Sequence, residues 1–212
     1  MTPQTQAFER IGLLGGTFDP IHAGHLEAAH VARQALPLDR VILLPSRTPP
    51  HRSAEPKASP FHRFAMAAIA AGTRAAMEVS DLELQREGPS YTSATLERLH
   101  AEGFRPSQLF FILGADAFAE IATWHDYPRI LELSNFVVVS RPGFPISHVT
   151  SSPAGEDTGI FFVVGDTPNV SSTEIRRRVG ASESIEGLVP SVVADHIRRH
   201  RLYVPAPVAA VL

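Results

Sequence analysis

Ile11-Gly12-Leu13-Leu14-Gly15-Gly16-Thr17-Phe18-Asp19-Pro20-Ile21-His22-Ala23-Gly24-His25-Leu26 is the stretch that decides how this chain folds. The apolar run over 11–14 reads as a buried strand. Gly15-Gly16 then ends it with a sharp turn that lets backbone approach a ligand closely. Asp19-Pro20 favours a turn followed by a helix start. From 23 to 35 the spacing is helical, with Leu26, Ala29 and Val31 apolar and Glu27, Arg33 and Gln34 polar. His22 and His25 lie three apart, on one face of the helix's first turn. The unsatisfied N–H groups and the positive end of the dipole there already favour an anion. Two imidazoles added to such a site are donors for a polyphosphate and stabilise charge as it develops on transfer. A lone histidine in a helix is more often structural. The same spacing is also half of a zinc site, which needs at least one more protein ligand, and the chain has no cysteine to supply it.

Outward from that string, short apolar runs alternate with helical patterns. Strands are expected at 41–44, 109–113, 136–139 and 161–164, with extended residues in 77–84. Helices are expected at 60–72, 91–102, 117–133, 173–179 and 191–200. The strand runs are continuously apolar instead of alternating, as in a parallel sheet covered on both faces. The expected class is α/β: a Rossmann-like doubly wound parallel sheet with a small C-terminal helical part. It reads as one domain over 1–212, its core at about 10–180 and a C-terminal helix and tail at about 190–212. In such folds ligands sit at the carboxyl ends of the strands. Two long segments interrupt the pattern, a proline-rich basic one at 46–59 and one rich in Gly, Pro, Ser and Thr at 141–159. Long loops in compact domains are functional or disordered. The tail after Tyr203 reads as a loosely held terminus.

Composition narrows the classes of function. Nineteen Lys+Arg against twenty-two Asp+Glu give a formal charge of -3, so no basic excess advertises a nucleic-acid or anionic-membrane surface. The absence of cysteine excludes a disulfide framework, a thiolate metal site and a cysteine nucleophile. The first residues lack a basic leader and an apolar core, and no run approaches the roughly 18 apolar residues of a membrane helix. A soluble, cytoplasmic protein is expected, with no nucleic-acid or membrane partner; a homo-oligomer is compatible with the fold.

A second constellation, Asn169-Val170-Ser171-Ser172-Thr173-Glu174-Ile175-Arg176, follows the last strand. Serine and threonine are good helix caps, so a second helix N-terminus presents its N–H groups here. Arg176 lies one turn inside, where a guanidinium can hold an anion bidentately. Taken alone, this is more readily an ordinary N-cap followed by a solvated arginine run.

The string GGTFDPIHAGH resembles the N-terminal signature of the HxGH nucleotidyltransferase superfamily, distant relatives of class I aminoacyl-tRNA synthetases. VSSTEIR is similar to its ISSTxIR motif, which closes over the β- and γ-phosphates of ATP. Four further features resemble nicotinate mononucleotide adenylyltransferases in particular. Pro49-Pro50-His51-Arg52 is similar to their PPHK loop, with arginine where lysine is usual. Ser90-Tyr91-Thr92 opens a helix whose first N–H groups suit a carboxylate, at the segment bordering the nicotinate ring. Gly114-Ala115-Asp116 looks like their GxD element beside the ribose, and Trp124-His125 matches the nicotinate-stacking position. The resemblance runs from about 10 to about 199.

It implies adenylyl transfer from ATP to nicotinate mononucleotide, giving deamido-NAD and pyrophosphate in NAD biosynthesis, with Mg²⁺ accompanying ATP and no metal held by protein ligands. On that reading His22, His25 and Arg176 are catalytic. ATP lies against Gly15, Gly16, Thr17, Phe18, His22, His25, Gly114, Asp116, Ser171, Ser172, Thr173 and Arg176. Nicotinate mononucleotide lies against Asp19, Arg52, Tyr91, Thr92, Trp124 and His125. A phosphopantetheine adenylyltransferase shares the HxGH string, and a non-catalytic nucleotide-binding regulator would keep the fold. The PPH loop, the Tyr-Thr helix start and Trp124-His125 speak against the first; retention of both histidines and Arg176 speaks against the second.

Overall fold

A computed structural model describes residues 9–50, 55–140, 150–153 and 158–205. The Gly-Gly turn follows β1 (Ile11–Gly16), and α1 (Ala23–Ala35) starts at His22. The chain continues through β2 (Arg40–Pro45), α2 (Pro60–Ala71), β3 (Met77–Val79), α3 (Thr92–Ala101) and β4 (Leu109–Gly114). Then come α4 (Ala115–Ala119), α5 (Ile130–Leu133), β5 (Asn135–Ser140), β6 (Thr150–Pro153), β7 (Gly159–Val164), α6 (Ser172–Gly180) and α7 (Ser191–Arg199). The sheet order is β3-β2-β1-β4-β5-β7-β6. The first six of these strands are mutually parallel, and β6 pairs antiparallel with β7.

Both faces of the sheet are covered, which is why its strands read as continuous apolar runs. Leu14, Val41, Leu43, Ile112, Val137 and Val163 face one core, shared with Leu26 and Ala29 of α1, Met66 of α2, Ile175 of α6 and Val193 and Ile197 of α7. The residues of opposite parity, Ile11, Leu13, Phe111, Leu113, Phe136 and Val138, face the other, with Leu96 and Leu99 of α3 and Ile130 of α5. The expected doubly wound α/β architecture is therefore present. Strand order reverses between β1 and β4, so a crevice opens where their carboxyl ends diverge.

The structure departs from the sequence reading in two places. The helix expected over 117–133 is broken into α4, a short 3₁₀ turn (Ile121–Thr123) and α5, and Trp124-His125 fall in the break. Pro128 sits just before α5, where it cannot continue an upstream helix. The extended residues expected within 77–84 are those of β3. The segment at 141–159 contains β6, a Thr-Ser-Ser-Pro edge strand with no apolar signature. Arg52, most of the 141–159 segment and the tail beyond 205 lie outside the described residues.

Candidate active site

A cavity of roughly 370 Å³ occupies the crevice between the ends of β1 and β4. Of the residues singled out from sequence, Gly15, Gly16, Thr17, His22, His25, Tyr91, Thr92, Gly114, Asp116, Trp124 and His125 all line it. Segments spread over a hundred residues of chain thus converge on one space.

The histidine end is built by close packing. His22 is the N-cap of α1, 3% exposed, and its ring stacks on His25 with centroids 3.6 Å apart. The His22 amide donates to His25 Nδ1 at 3.2 Å, so a neutral His25 ring carries its proton on Nε2. Gly24 leaves little room for a side chain: a Cβ there would lie 3.2 Å from both the His22 ring and the Pro168 carbonyl oxygen, so one of them would have to give. Phe18 lies outside the cavity lining. Its backbone is left-handed (φ 50°), and its ring is buried edge-on against His25 with centroids 5.1 Å apart. A Cβ on Gly16 would come within 2.7 Å of that ring, so glycine is required for this packing.

The aromatic end lies across the crevice. Tyr91 is the N-cap of α3, and Thr92 is its first helical residue, not its cap. Tyr91 stacks on His125 at 4.1 Å, Ser93 Oγ lies 3.3 Å from His125 Nδ1, and Trp124 meets Phe111 edge-on. Asp116 stands in the first turn of α4 beside Gly114.

Asp19 is 2% exposed and absent from the cavity wall, with both carboxylate oxygens engaged. Its Oδ2 accepts the Lys57 amide at 2.8 Å; its Oδ1 accepts the Ala58 amide at 3.0 Å and the Tyr203 hydroxyl at 2.9 Å. Burial, then the Asp19 charge, push the Tyr203 hydroxyl well above the usual phenol range. The second constellation packs against this hub. Arg176 donates to the Asp19 carbonyl at 2.7 Å and to Thr173 Oγ1 at 3.2 Å, and Ser172 Oγ donates to the Pro20 carbonyl at 2.9 Å. Ser171 Oγ accepts the Glu174 amide and caps α6. Arg176 and Ser172 thus abut the start of the histidine segment, and none of these four residues lines the cavity. The neighbouring arginines are not simply solvated: Arg177 and Arg178 both hold Glu174, whose carboxyl drops to about 2.

Several contributors carried no sequence signal. Arg63 of α2 is fully buried and donates to four carbonyls: Ser46 at 2.6 Å, Thr17 at 2.7 Å, Arg47 at 2.9 Å and Ala58 at 3.2 Å. It thereby ties the turns after β1 and β2 to the start of α2. Ser46 and Thr167 line the cavity, and the hydroxyl of each is buried without a hydrogen-bond partner among the described residues. Glu83 lines it too; burial raises its carboxyl above the usual range although Thr95 and Ser90 hydrogen-bond to it.

Comparisons with known proteins agree with this geometry. A family model for cytidylyltransferase-like proteins matches residues 13–178. The chain is 43% identical over 196 residues to a probable nicotinate-nucleotide adenylyltransferase of Roseiflexus sp. (strain RS-1), covering 91% of this chain and 97% of that one. It is 39% identical over 217 residues to a protein of the same name from Desulfatibacillum aliphaticivorans, covering 92% and 99%. In fold it is similar to Plasmodium falciparum nicotinic acid mononucleotide adenylyltransferase, solved in complex with NaAD, with a TM-score of 0.72 and 18% identity over 92% of this chain and 97% of that one. With a glycine turn, paired histidines and an aromatic wall on one crevice, and relatives matched along nearly their whole length, the chain belongs to the cytidylyltransferase-like family and, within it, to the nicotinate-nucleotide adenylyltransferases.

Proposed function

We propose that this chain transfers the adenylyl group of ATP to nicotinate mononucleotide, forming deamido-NAD and releasing pyrophosphate. The observation that carries the reading is a single cavity with a phosphate-seeking end at His22 and His25 and a ring-stacking end at Tyr91, Trp124 and His125. An oxygen of the acceptor phosphate forms a bond to the α-phosphorus. The bond from that phosphorus to its β-bridging oxygen breaks, and pyrophosphate leaves with the electron pair. A phosphate monoester is a competent nucleophile at neutral pH, so no side chain must take up a proton and no covalent intermediate forms. Catalysis is positioning and electrostatics.

His25 directs its Nε2–H to the triphosphate, with His22 stacked behind it and the N-terminal amides of α1 adding donors. Gly15, Gly16 and Thr17 line the path of the nucleotide, Phe18 supports His25 from below, and Asp116 with Gly114 faces the ribose. Arg176 with Ser171, Ser172 and Thr173 closes the triphosphate end. Their bonds to Asp19 and Pro20 support this placement, because those residues open the histidine segment. Nicotinate stacks at Trp124, bordered by Tyr91, Thr92 and His125, and Arg52 attends the acceptor phosphate. Asp19 serves this site by holding its loops, since its carboxylate is already engaged.

The unpartnered hydroxyls of Ser46 and Thr167 are ready to bind substrate oxygen atoms. Mg²⁺ enters as MgATP. Asp116 and Glu83 are the carboxylates among the described lining residues, a sparse set that suits a cation carried largely by phosphate and water. No helix among the described residues is long and apolar enough to cross a membrane. The absence of cysteine accords with a reducing cytoplasm.

The test is pyrophosphate release with MgATP and, in parallel, nicotinate mononucleotide, nicotinamide mononucleotide and phosphopantetheine. Release with the nicotinate compound well above the other two is expected. Equal rates with the amide would reject carboxylate recognition at the start of α3, and release only with phosphopantetheine would overturn the acceptor.

A further inference from the structure

The helices α2 and α7 pack against the same face of the sheet, and their facing surfaces bring together His62, His196 and His200. His62 Nδ1 lies 3.2 Å from His196 Nε2. The His200 ring centroid is 4.8 Å from that of His62 and 4.4 Å from that of His196. One nitrogen from each ring can be chosen so that all three fall within 4.8 Å of one another. None of the three lines the cavity between β1 and β4.

An N–H···N hydrogen bond would account for the 3.2 Å His62–His196 contact, yet it leaves the convergence of the third ring unexplained. Tetrahedral coordination accounts for both. At zinc–nitrogen distances of 2.0–2.1 Å, two ligand nitrogens stand about 3.3 Å apart, close to the 3.2 Å observed. His196 and His200 are four residues apart, so they project from the same side of α7. His200 is exposed and can swing its ring inward by a rotamer adjustment. The donor set of three imidazoles, without thiolate or carboxylate, suits a borderline transition metal and not Mg²⁺ or Ca²⁺.

We propose that His62, His196 and His200 bind one Zn²⁺ ion, with water in the fourth position, and that the ion clamps α7 onto α2. The clamp joins two supports of the crevice. Next to His62, Arg63 holds the carbonyls of Thr17 and Ser46. Just beyond His200, Tyr203 holds the Asp19 carboxylate.

The experiment uses the full, tag-free chain after chelator treatment, titrated with Zn²⁺ against a chromogenic chelator and, separately, with Co²⁺. The wild type should take up one Zn²⁺ per chain and show the visible absorption of tetrahedral Co²⁺. At Zn²⁺ a hundredfold above Kd its melting midpoint should rise by about 5–10 °C. His200→Asn, at an exposed position, and His196→Asn should each weaken Zn²⁺ binding by more than the roughly 10–100-fold that loss of a ligand's supporting hydrogen bond costs. Folding of both variants is checked by cooperative melting of the metal-free chains and by turnover with MgATP and nicotinate mononucleotide. Wild-type affinity in both variants would place the metal elsewhere and overturn the proposal. Failure of the wild type to take up Zn²⁺, or octahedral Co²⁺ spectra, would overturn it equally.

Discussion

Replacing Arg63 by methionine separates a tertiary fastener from an ordinary core residue. The side chain is fully buried and its guanidinium donates to four backbone carbonyls at 2.6–3.2 Å. Methionine fills much of the volume but donates nothing. The carbonyls of Thr17, Ser46 and Ala58 sit in buried surroundings, whereas that of Arg47 is only partly buried and can turn to water. An orphaned buried acceptor costs about 1–3 kcal/mol, and such losses at one site are not additive. Three orphaned carbonyls, partly relaxed, put the loss at about 4 kcal/mol, a large share of the 5–15 kcal/mol that holds a typical domain together. With a urea slope of about 2 kcal/mol/M, the unfolding midpoint should fall by about 2 M. Arg63→Lys keeps the charge but cannot span four acceptors, so it should fall most of the way as well. Both variants should also raise KM, because the carbonyls they release belong to the turns after β1 and β2. A midpoint within 0.5 M of wild type (about 1 kcal/mol on the same slope) for Arg63→Met would refute the argument that these bonds hold the turns.

His25→Ala should lower kcat by about 10²–10³-fold, the loss typical of one preorganised donor to a developing charge, while the chain still melts cooperatively; turnover within tenfold of wild type would remove His25 from the reaction. Gly24→Ala sets two effects against each other: alanine favours helix by about 1 kcal/mol, but its Cβ presses on the His22 ring and the Pro168 carbonyl at 3.2 Å. Little change in melting midpoint with at least tenfold lower kcat is expected, and unchanged kcat would show that the histidine stack tolerates displacement. Glu83→Gln tests the buried carboxyl. Burial raises its folded value above the ordinary 4.5, so wild-type stability falls as pH rises through the window above 4.5 and the carboxyl must ionise in place. The glutamine variant should match wild type well below pH 4.5 and gain on it as pH rises above 4.5, levelling off once the folded carboxyl has ionised, in urea melts; parallel profiles would mean that the carboxyl ionises without penalty.

The fold was legible where burial on both faces leaves an unbroken apolar run, as at Leu13, Phe111 and Val138. It was illegible at β6, whose three polar residues and closing proline reflect an edge strand that needs no two-sided burial. The helix expected over 117–133 failed because local propensity could not report a 3₁₀ turn that places Trp124 and His125 at the cavity. Site residues were legible when their spacing was local, as with His22, Gly24 and His25. Arg63 and Tyr203 left no trace because their partners lie far along the chain: Tyr203 is 184 residues from Asp19. In sequence, a buried arginine holding carbonyls looks like any helical arginine.

Asp19 shows why the two motif strings belong to one site. Read along the chain, a carboxylate between a glycine turn and paired histidines looks like a ligand for substrate. In the folded protein its oxygens hold the amides that precede α2 and the hydroxyl that follows α7, while its carbonyl accepts Arg176 from α6. A substrate-facing carboxylate at this position would repel the phosphates that we propose for His22 and His25, and Coulomb repulsion at about 4 Å is not small even at a protein surface. Burial against three donors removes that conflict and turns the charge into a fastener. Arg176 Nη1 lies 3.7 Å from Asp19 Oδ2, so the guanidinium that we propose for the triphosphate is oriented by the same carboxylate that orders the loops. On the proposed function the order of the motif follows: glycine for approach, aspartate to anchor three elements, histidines to meet the phosphates.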